Sequence, residues 1–202
     1  MTNNPISVIL LAAVAGLFAS AAQAQPYEAG VHYEVIEQPV GYREDQPVEV
    51  TEVFSYLCNH CMTFESYVQP WKQQLPEDVE FNRVHVNWGS AAGLYARAFV
   101  TASTLGVEEQ AHVALMDEIW KEQRRMRSLE ELADFYAGYG VDPDRFLATA
   151  KSFAVDMRMK REQQQVVEYQ VNGTPAMVVN GKYRISPGGA ITSFNTMLDV
   201  VN

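Results

Sequence analysis

Cysteine is scarce in this sequence, with only Cys58 and Cys61 among 202 residues. Small secreted proteins that use disulfides as scaffolding are rich in cysteine, so this chain does not belong to that class. A bridge between two residues so close in sequence would restrict the unfolded chain little and would stabilise the fold poorly. The pair is therefore better explained by chemistry than by structural cross-linking.

Positive charge is also scarce: the chain has 15 Lys and Arg against 25 Asp and Glu, a formal net charge of -10. This excess of negative charge argues against nucleic acids and anionic membrane surfaces as general partners. The basic cluster Arg124-Arg125-Met126-Arg127 is the main exception. Because it follows Lys121 at the predicted end of a helix, we interpret it as offsetting the negative end of the helix dipole.

Only one stretch is apolar over a long run, Ile6 to Ala22, which is Ala-rich and uncharged. Ala22-Gln23-Ala24 then supplies the small-x-small site of signal peptidase, although residues 1–5 lack the usual Lys or Arg. A retained membrane anchor is the alternative, but an anchor needs roughly 20 apolar residues and this run is shorter. The sequence thus predicts a signal peptide over residues 1–24 and an exported domain over residues 25–202.

No repeats, low-complexity tracts or long linkers interrupt residues 25–202, which suffice for one well-packed domain. Strands are predicted at 33–36, 49–56, 79–86, 177–179 and 183–185, where β-branched and aromatic residues are concentrated. Asn180-Gly181-Lys182 separates the last two strands, and Asn-Gly is the preferred centre of a two-residue hairpin turn. A final helix is predicted from about Ile191 to Val201.

Five helices are predicted between Trp88 and Val171, where apolar residues recur at helical spacing. The first four apolar stripes are Leu94, Ala98, Ala102 and Leu105; Leu115, Met116, Ile119 and Trp120; Leu129, Leu132, Phe135 and Tyr136 after a Ser128 cap; and Phe146, Leu147, Ala150 and Phe153 after Asp142-Pro143. A long helix from about Val155 to Gln170 follows. We interpret the stripes as core, so the order predicts an α/β fold: a βαβ unit, an inserted helical bundle, and a ββα unit completing the same sheet.

Cys58-Asn59-His60-Cys61 lies where a predicted strand gives way to a predicted amphipathic helix. A cysteine at a helix N-terminus is close to unpaired backbone N–H groups and to the positive end of the helix dipole. Both favour the thiolate, which is the reactive form of cysteine. The placement therefore indicates redox chemistry rather than packing.

Gly173-Thr174-Pro175-Ala176 is the second informative segment. A proline at the start of a buried strand cannot donate a hydrogen bond to the neighbouring strand. A cis Thr174–Pro175 bond would resolve this by turning the chain sharply. Spacing alone does not select the cis form, which occurs in only about 5–6% of X-Pro bonds in folded proteins.

Taken together, the Cys-x-His-Cys motif after an aromatic-rich strand, the helical insertion, and Gly-Thr-Pro-Ala followed by Val-Val-Asn-Gly-Lys-Tyr resemble the DsbA family of thioredoxin-fold proteins. The resemblance covers essentially residues 25–202 and implies a thioredoxin fold with a helical insertion at about 89–170. It implies a periplasmic thiol:disulfide oxidoreductase without a cofactor that donates its disulfide to reduced secreted proteins. A membrane-bound, DsbB-like partner would reoxidise it, and we expect a monomer.

The resemblance also assigns roles at the site. Cys58 is the exposed attacking sulfur, Cys61 is the more buried partner that closes the disulfide, and Pro175 is cis and faces them. His60 supplies a donor or a positive charge to the thiolate. Thr174 offers its backbone edge to an extended substrate segment, and its hydroxyl reaches the sulfur.

Glu52 lies in an otherwise apolar strand, where a carboxylate is costly unless it is paired. Family members place an acidic residue here and a basic residue on the next strand, a position that Arg83 matches. Glu52 is expected either to accept or relay the proton of Cys61 or to form a purely structural ion pair. His85 and His112 are expected to be structural.

A lowered pKa of Cys58 has a direct effect on the reduction potential. If the helix N-terminus and His60 lower it to about 4, the reduced form gains about 4 kcal/mol at pH 7 that the disulfide does not share. At about 30 mV per 1.4 kcal/mol, the potential rises by roughly 90 mV. The strong oxidising power of DsbA proteins is a known example of this effect.

The chain departs from the family pattern at two positions. Asn59 stands where many members have proline, and Thr174 stands where valine is common. Because threonine there is typical of isomerase and reductase relatives, those activities on the same fold are the nearest alternative.

A copper-handling protein with Cys58, His60 and Cys61 as soft ligands is a second alternative. A closed zinc site needs four ligands, so no metal site is predicted. A chaperone with a merely structural bridge is a third.

Overall fold

The structure is a computed structural model and describes residues 27–39 and 46–202. The predicted signal peptide, residues 1–24, lies outside the described residues. The strands are β1 (Glu34–Val35), β2 (Val48–Phe54), β3 (Val79–His85), β4 (Ala176–Val179) and β5 (Tyr183–Ile185). The helices are α1 (Asn59–Lys72), α2 (Ser90–Thr104), α3 (Glu108–Trp120), α4 (Leu129–Ala137), α5 (Pro143–Ala150), α6 (Phe153–Glu168) and α7 (Phe194–Val201).

The strands form one sheet in the order β1-β5-β4-β2-β3. β2 and β3 are parallel, and α1 provides the crossover that a parallel pair requires. β4 runs antiparallel to β2, and β5 runs antiparallel to both β4 and β1. The βαβ and ββα units therefore share one sheet, as the sequence predicted.

The two faces of the sheet bury different side chains, because successive strand residues point to opposite faces. On one face, Val50 of β2 packs with Phe64 and Val68 of α1 and with residues of α7. On the other face, Val53 packs with Val166 of α6. Helices therefore cover both faces of the sheet, and packing against the sheet fixes the position of α1, whose N-terminus comes soon after the end of β2.

The helical insertion, here the helices α2–α6, lies between β3 and β4 in sequence. Its core includes Leu115 and Leu132, which are fully buried. The same cluster contains Phe54 at the end of β2, Tyr56, and Cys61 of α1. The insertion therefore packs against the end of the sheet where the cysteine motif lies.

Phe153 is the clearest error of the helix prediction, since its side chain is 78% exposed rather than core. α5 ends at Ala150, and Ser152 begins a new helix whose Val155 N–H donates to the Ser152 hydroxyl at 3.3 Å. Phe153 therefore belongs to the start of the long helix, not to the apolar stripe of the helix before it. The long helix accordingly starts at Phe153, two residues earlier than predicted.

The start of the final helix was also predicted too early, at Ile191. The helix begins at Phe194 because Ser193 acts as its N-cap and accepts the N–H of Thr196 at 3.0 Å. Ile191 is buried and belongs to the core on the α1 face of the sheet. An apolar residue at the right spacing thus packed in the core without being helical.

Asn180 and Gly181 form the turn between β4 and β5, with φ values of 52° and 59°. This left-handed region is the one that Gly and Asn adopt most readily. The N–H of Lys182 donates to the Val179 carbonyl at 2.9 Å. Asn180 and Gly181 are thus the central residues of the turn, and the paired Val179 and Tyr183 flank residues 180–182, as the sequence predicted.

The basic cluster follows the end of α3. Arg124 Nε pairs with Glu118 Oε2 at 2.6 Å, and the Arg125 guanidinium lies 5.5 Å from the Trp120 ring centroid. These contacts are with side chains of α3 rather than with the carbonyls that end the helix. Within residues 27–39 and 46–202, no helix combines the length and the apolarity needed to cross a membrane.

Candidate active site

The cysteine motif lies at the junction of β2 and α1, as the sequence predicted. Cys58 is the N-cap of α1, with extended backbone angles (φ −98°, ψ 115°), and Asn59 is the first helical residue. The N–H of Cys61 is directed at the Cys58 sulfur, with an N–Sγ distance of 3.4 Å. The sulfur thus occupies the position of a capping oxygen, where the helix dipole favours negative charge.

The surroundings of Cys58 stabilise its thiolate. A hydrogen bond from the Cys61 thiol is the main cause that lowers the pKa of Cys58 to about 5. The Thr174 side chain and the backbone N–H groups of Cys61 and His60 lower it further, and partial burial opposes them. This pKa is higher than the value of about 4 assumed from the sequence, because the half-buried sulfur loses part of its hydration.

Cys61 is the opposite case. It is fully buried, and burial raises the pKa of its thiol well above the ordinary value. The hydrogen bond that it donates to Cys58 raises this pKa further. Near pH 7 the unbridged pair therefore holds a thiolate at Cys58 and a thiol at Cys61.

We expect the Cys58 thiolate to titrate with a midpoint near pH 5 in a Cys61→Ser variant, where the serine hydroxyl takes the place of the Cys61 thiol as the hydrogen-bond donor to Cys58, as followed by ultraviolet thiolate absorbance. Because the folded pKa lies below the unfolded value of about 8.5, this group stabilises the dithiol form most at high pH. The stabilisation is lost as the pH falls through 5. After allowance for partial exposure, the loss below pH 7 is about 2 kcal/mol. A midpoint near that of free cysteine would contradict an activated sulfur.

Thr174 and Pro175 face Cys58 from the start of β4. The Thr174–Pro175 peptide bond is cis, which confirms the expectation from the family resemblance. The Cys58 sulfur lies 3.3 Å from the Thr174 carbonyl oxygen, to which it donates a hydrogen bond only in its protonated form. Pro175 is buried, whereas Thr174 is partly exposed and forms the accessible rim of the sulfur.

A groove of about 310 Å³ runs beside this rim. Its lining residues are His60, Asn172, Gly173, Thr174, Pro175, Ser186, Pro187 and Phe194. Asn59 and His60 are both exposed at the start of α1. The backbone N–H of His60 helps to lower the pKa of Cys58, and His60 also lines the groove.

Glu52 and Arg83 are register partners on β2 and β3, and Arg83 Nε lies 3.0 Å from Glu52 Oε2. This confirms the predicted pairing. The side chains are 0% and 3% exposed, respectively. Burial raises the pKa of Glu52 to about 7, although the charge of Arg83 lowers it. The charge of Glu52 also raises the pKa of Cys61, so the carboxyl and the buried thiol interact electrostatically.

Several polar residues that complete this buried region were not predicted from the sequence. They are Tyr56, Glu65, Lys72, Glu108, Glu109 and His112, which lie around the Glu52–Arg83 pair. The signal for Glu65 was present, because it occupies the same face of α1 as Phe64 and Val68. No comparable signal marked the residues on α3, because their neighbours come from distant parts of the chain.

His85 is fully buried, as expected for a structural residue, and its Nε2 accepts the N–H of Tyr56 at 3.0 Å. Burial lowers the pKa of His85 to about 3, so it is neutral at pH 7. Within the part of the chain that is described, no group of three or more His, Cys, Asp or Glu side chains is arranged to hold a metal ion.

A sheet of this topology, with an ionised cysteine at a helix start, a buried partner thiol and a facing cis-proline, defines the class of thioredoxin-fold thiol:disulfide oxidoreductases. The family model described as DSBA-like thioredoxin domain matches residues 69–198. The thiol:disulfide interchange protein DsbA of Pseudomonas aeruginosa is 42% identical over 190 residues, which are 94% of this chain and 89% of that protein. The chain belongs to the DsbA family and is a protein disulfide oxidoreductase.

Solved structures agree with this assignment. The crystal structure of Pseudomonas aeruginosa DsbA has a TM-score of 0.80 at 38% identity and covers 87% of this chain and 91% of that one. A Proteus mirabilis DsbA variant with a non-covalently bound peptide has a TM-score of 0.73 at 30% identity, covering 88% and 97%. The predicted thioredoxin fold with inserted helices is therefore confirmed.

Proposed function

We propose that this protein donates the disulfide between Cys58 and Cys61 to reduced, unfolded secreted proteins. The observation that carries the proposal is the opposed ionisation of the two sulfurs. The pKa of Cys58 is lowered to about 5, while burial raises the pKa of Cys61. A reduced form stabilised in this way makes the disulfide easy to give away.

The exchange proceeds in two displacements. A substrate thiolate attacks the Cys58 sulfur, the Cys58–Cys61 bond breaks, and Cys61 leaves with the bonding electrons. A second substrate thiolate then attacks the substrate sulfur of the mixed disulfide, and Cys58 leaves as a thiolate. The two substrate thiols are oxidised to a disulfide, and the disulfide of the protein is reduced to the dithiol.

The stability of the Cys58 thiolate favours this direction. A stabilisation of about 2 kcal/mol at pH 7 corresponds to a rise of roughly 40 mV in reduction potential. This is about half the contribution assumed from the sequence, because the pKa of Cys58 is about 5 rather than 4 and because the partly exposed sulfur is screened by solvent. The remaining oxidising power must come from other differences between the disulfide and dithiol forms.

In this proposal Glu52 donates a proton to Cys61 and accepts it back. When Cys61 leaves, it is a strong base in a dry site and takes a proton from Glu52. When the pair is reoxidised, Glu52 accepts the proton as Cys61 attacks the mixed disulfide. A pKa of about 7 suits both directions, because a proton carrier works best near the ambient pH. The ion pair with Arg83 holds the carboxyl in place for this role.

The groove beside Thr174 and Pro175 is the proposed substrate site. An extended peptide there would meet the backbone of Thr174, a short β-augmentation, and its cysteine would reach Cys58. The imidazole of His60 would then face the incoming thiol. The Proteus mirabilis relative, whose structure holds a non-covalently bound peptide, supports a peptide as the natural occupant of such a site.

The compartment and the recharging step are also proposals. Residues 1–24 are proposed as a cleaved signal peptide that directs the chain to the periplasm, on the basis of their apolar run and cleavage-site pattern. Each turnover leaves a dithiol, so an external oxidant must remove two electrons. A membrane-bound, DsbB-like protein is proposed for that step.

The proposal is tested by mixing oxidised protein, residues 25–202, with an excess of a reduced, unfolded substrate protein and no other oxidant. One substrate disulfide is expected per molecule of protein consumed, and equilibrium with glutathione should show a strongly oxidising pair. A strongly reducing equilibrium like that of thioredoxin would overturn the proposal and favour a reductase. Reactivation of a mispaired substrate without net oxidation would favour an isomerase, and copper binding without exchange would favour copper handling.

A further inference from the structure

The buried region around Arg83 holds more carboxylates than its cations balance. One guanidinium faces four carboxyl groups. The distances are 3.0 Å from Nε to Glu52, 2.9 Å from Nη2 to Glu65, and 3.2 Å and 3.7 Å from Nη1 to Glu109 and Glu108. Lys72 also pairs with Glu109, at the edge of the cluster. Glu109 is 57% exposed and can stay ionised, but Glu52, Glu65 and Glu108 are largely buried and share one guanidinium, so these three cannot all remain ionised and the cluster must bind protons.

Unpaired polar atoms concentrate in the same place. Among the side-chain atoms that are buried without a hydrogen-bond partner in the described residues, four belong to this cluster. They are Glu52 Oε1, Glu65 Oε2, Glu108 Oε1 and His112 Nε2. Because buried polar groups are nearly always hydrogen-bonded, their grouping indicates that these groups exchange protons or hold water.

His112, on α3 of the helical insertion, lies among these atoms. Its Nδ1 is 3.0 Å from the Tyr56 hydroxyl, and its Nε2 is 3.4 Å from Glu65 Oε2. The second distance is slightly long for a hydrogen bond, but no other hydrogen-bond donor faces that oxygen in the described part of the chain. If the Tyr56 hydroxyl donates to Nδ1, the proton of the neutral imidazole is on Nε2 and faces the carboxylate.

The ionisation of Glu65 follows from this arrangement. Burial alone would raise the pKa of Glu65, but His112, Arg83 and Gln69 lower it to about 2. Burial lowers the pKa of His112, so the imidazole is neutral. The negative charge of Glu65 in turn raises the pKa of Glu52, because the two carboxyl groups share Arg83.

We propose that His112 is a positioning residue for disulfide exchange: its Nε2–H keeps Glu65 ionised, Glu65 engages Arg83, and Glu52 thereby retains the proton that it exchanges with Cys61. This inference rests on the proposed role of Glu52 in the exchange. It gives the helical insertion a part in the chemistry, since α3 contributes the imidazole.

Other titratable groups near His112 set the conditions for a test. Those that face it or its direct partners are Glu108 and Glu109 on α3, Glu65 on α1, Glu52 on β2, Tyr56 after β2, Arg83 and His85 on β3, and Tyr136 on α4. Burial raises the pKa of Glu108, so that carboxyl also binds a proton more readily than a free one. The test must therefore observe Glu52 itself rather than the summed titration.

The test is the pH titration of the Glu52 side-chain carboxyl carbon by nuclear magnetic resonance in the dithiol form of residues 25–202. The signal is assigned by its loss in Glu52→Gln. The wild-type midpoint is expected near pH 7. In His112→Phe, Glu65 binds a proton more readily and Arg83 is free to stabilise an ionised Glu52. The midpoint should then fall by about one pH unit.

The rate of disulfide donation should change in parallel. At pH 7 the protonated fraction of Glu52 falls from about a half to about a tenth, so the step that protonates Cys61 slows about fivefold. His112→Gln keeps an N–H at the Nε2 position and should restore the titration. Leu115→Ala, also fully buried on α3, should lower the melting temperature without moving the midpoint.

An unchanged Glu52 midpoint in folded His112→Phe would overturn the inference, as would a shift of equal size in Leu115→Ala. If His112→Phe does not fold, Tyr56→Phe removes the hydroxyl that fixes the imidazole, and the midpoint should fall by a smaller amount. No shift there would also overturn the inference. If Glu52→Gln itself leaves disulfide donation unchanged, the proposed role of Glu52 fails. If Glu52→Gln slows donation while His112→Phe moves neither midpoint nor rate, only the role of His112 fails.

Discussion

Replacing Cys58 with serine is expected to reduce disulfide donation to the background rate of spontaneous thiol oxidation. The serine hydroxyl does not ionise near pH 7 and cannot form a disulfide, so no mixed disulfide is possible. The measurement is the rate at which a reduced peptide with two cysteines becomes oxidised. Full activity in Cys58→Ser would show that the pair is only structural and would support the chaperone alternative.

Cys61→Ser is the matched control for that variant. Its Cys58 thiolate remains accessible and ionised, so it should still attack a disulfide in an oxidised substrate peptide, forming a mixed disulfide as the other substrate sulfur leaves as a thiolate. Without a second sulfur it cannot regenerate its own disulfide, and the mixed species should accumulate. Rapid catalytic turnover in Cys61→Ser would contradict the assignment of Cys61 as the partner sulfur.

Replacing Arg83 with methionine should lower the free energy of unfolding by about 3–5 kcal/mol, because it leaves Glu52 and Glu65 buried without their cation. Loss of Arg83 raises the folded pKa of both carboxyls, and that of Glu52 already lies above its ordinary value. Groups with raised pKa favour folding at low pH and disfavour it as the pH rises through the folded value. The variant should therefore be closest to wild type in acid, as measured by denaturant unfolding across the pH range.

Lys72→Met provides the control for that experiment. Lys72 contacts Glu109 at the more exposed edge of the same cluster, where an ion pair contributes about 1 kcal/mol or less. The double variant Glu52→Gln with Arg83→Met should recover part of the lost stability, since it removes one uncompensated charge. Equal losses in Lys72→Met and Arg83→Met would show that burial of the guanidinium has no special importance.

The sequence was sufficient to place the reactive part of the site. Cys58 and Cys61 could be assigned because a strand pattern changes to a helix pattern at their position, and that junction recurs in the structure. The cost of an unpaired carboxylate in a buried strand singled out Glu52, and the family resemblance supplied Arg83 as its partner on the next strand. These inferences depend on neighbours along the chain or on adjacent strands.

What the sequence could not supply was contact between distant segments. Phe153 was placed in the core because it continued an apolar spacing, yet the Ser152 cap turned it outward. His112 was expected only to be structural, and its partners Tyr56 and Glu65 come from the β2–α1 region and meet it only after α3 packs there. Spacing reveals one face of one element, whereas such a cluster is fixed by tertiary packing.

The complete burial of Cys61 beside a partly exposed, ionised Cys58 has a consequence for oxidative damage. Peroxide can reach only the outer sulfur and converts its thiolate to a sulfenic acid. The inner thiol, already hydrogen-bonded to that sulfur, condenses with it and releases water. The product is the same disulfide that the protein delivers to its substrates. Reaction with peroxide therefore regenerates the oxidised, active form of the protein, and the irreversible sulfinic and sulfonic acids are avoided.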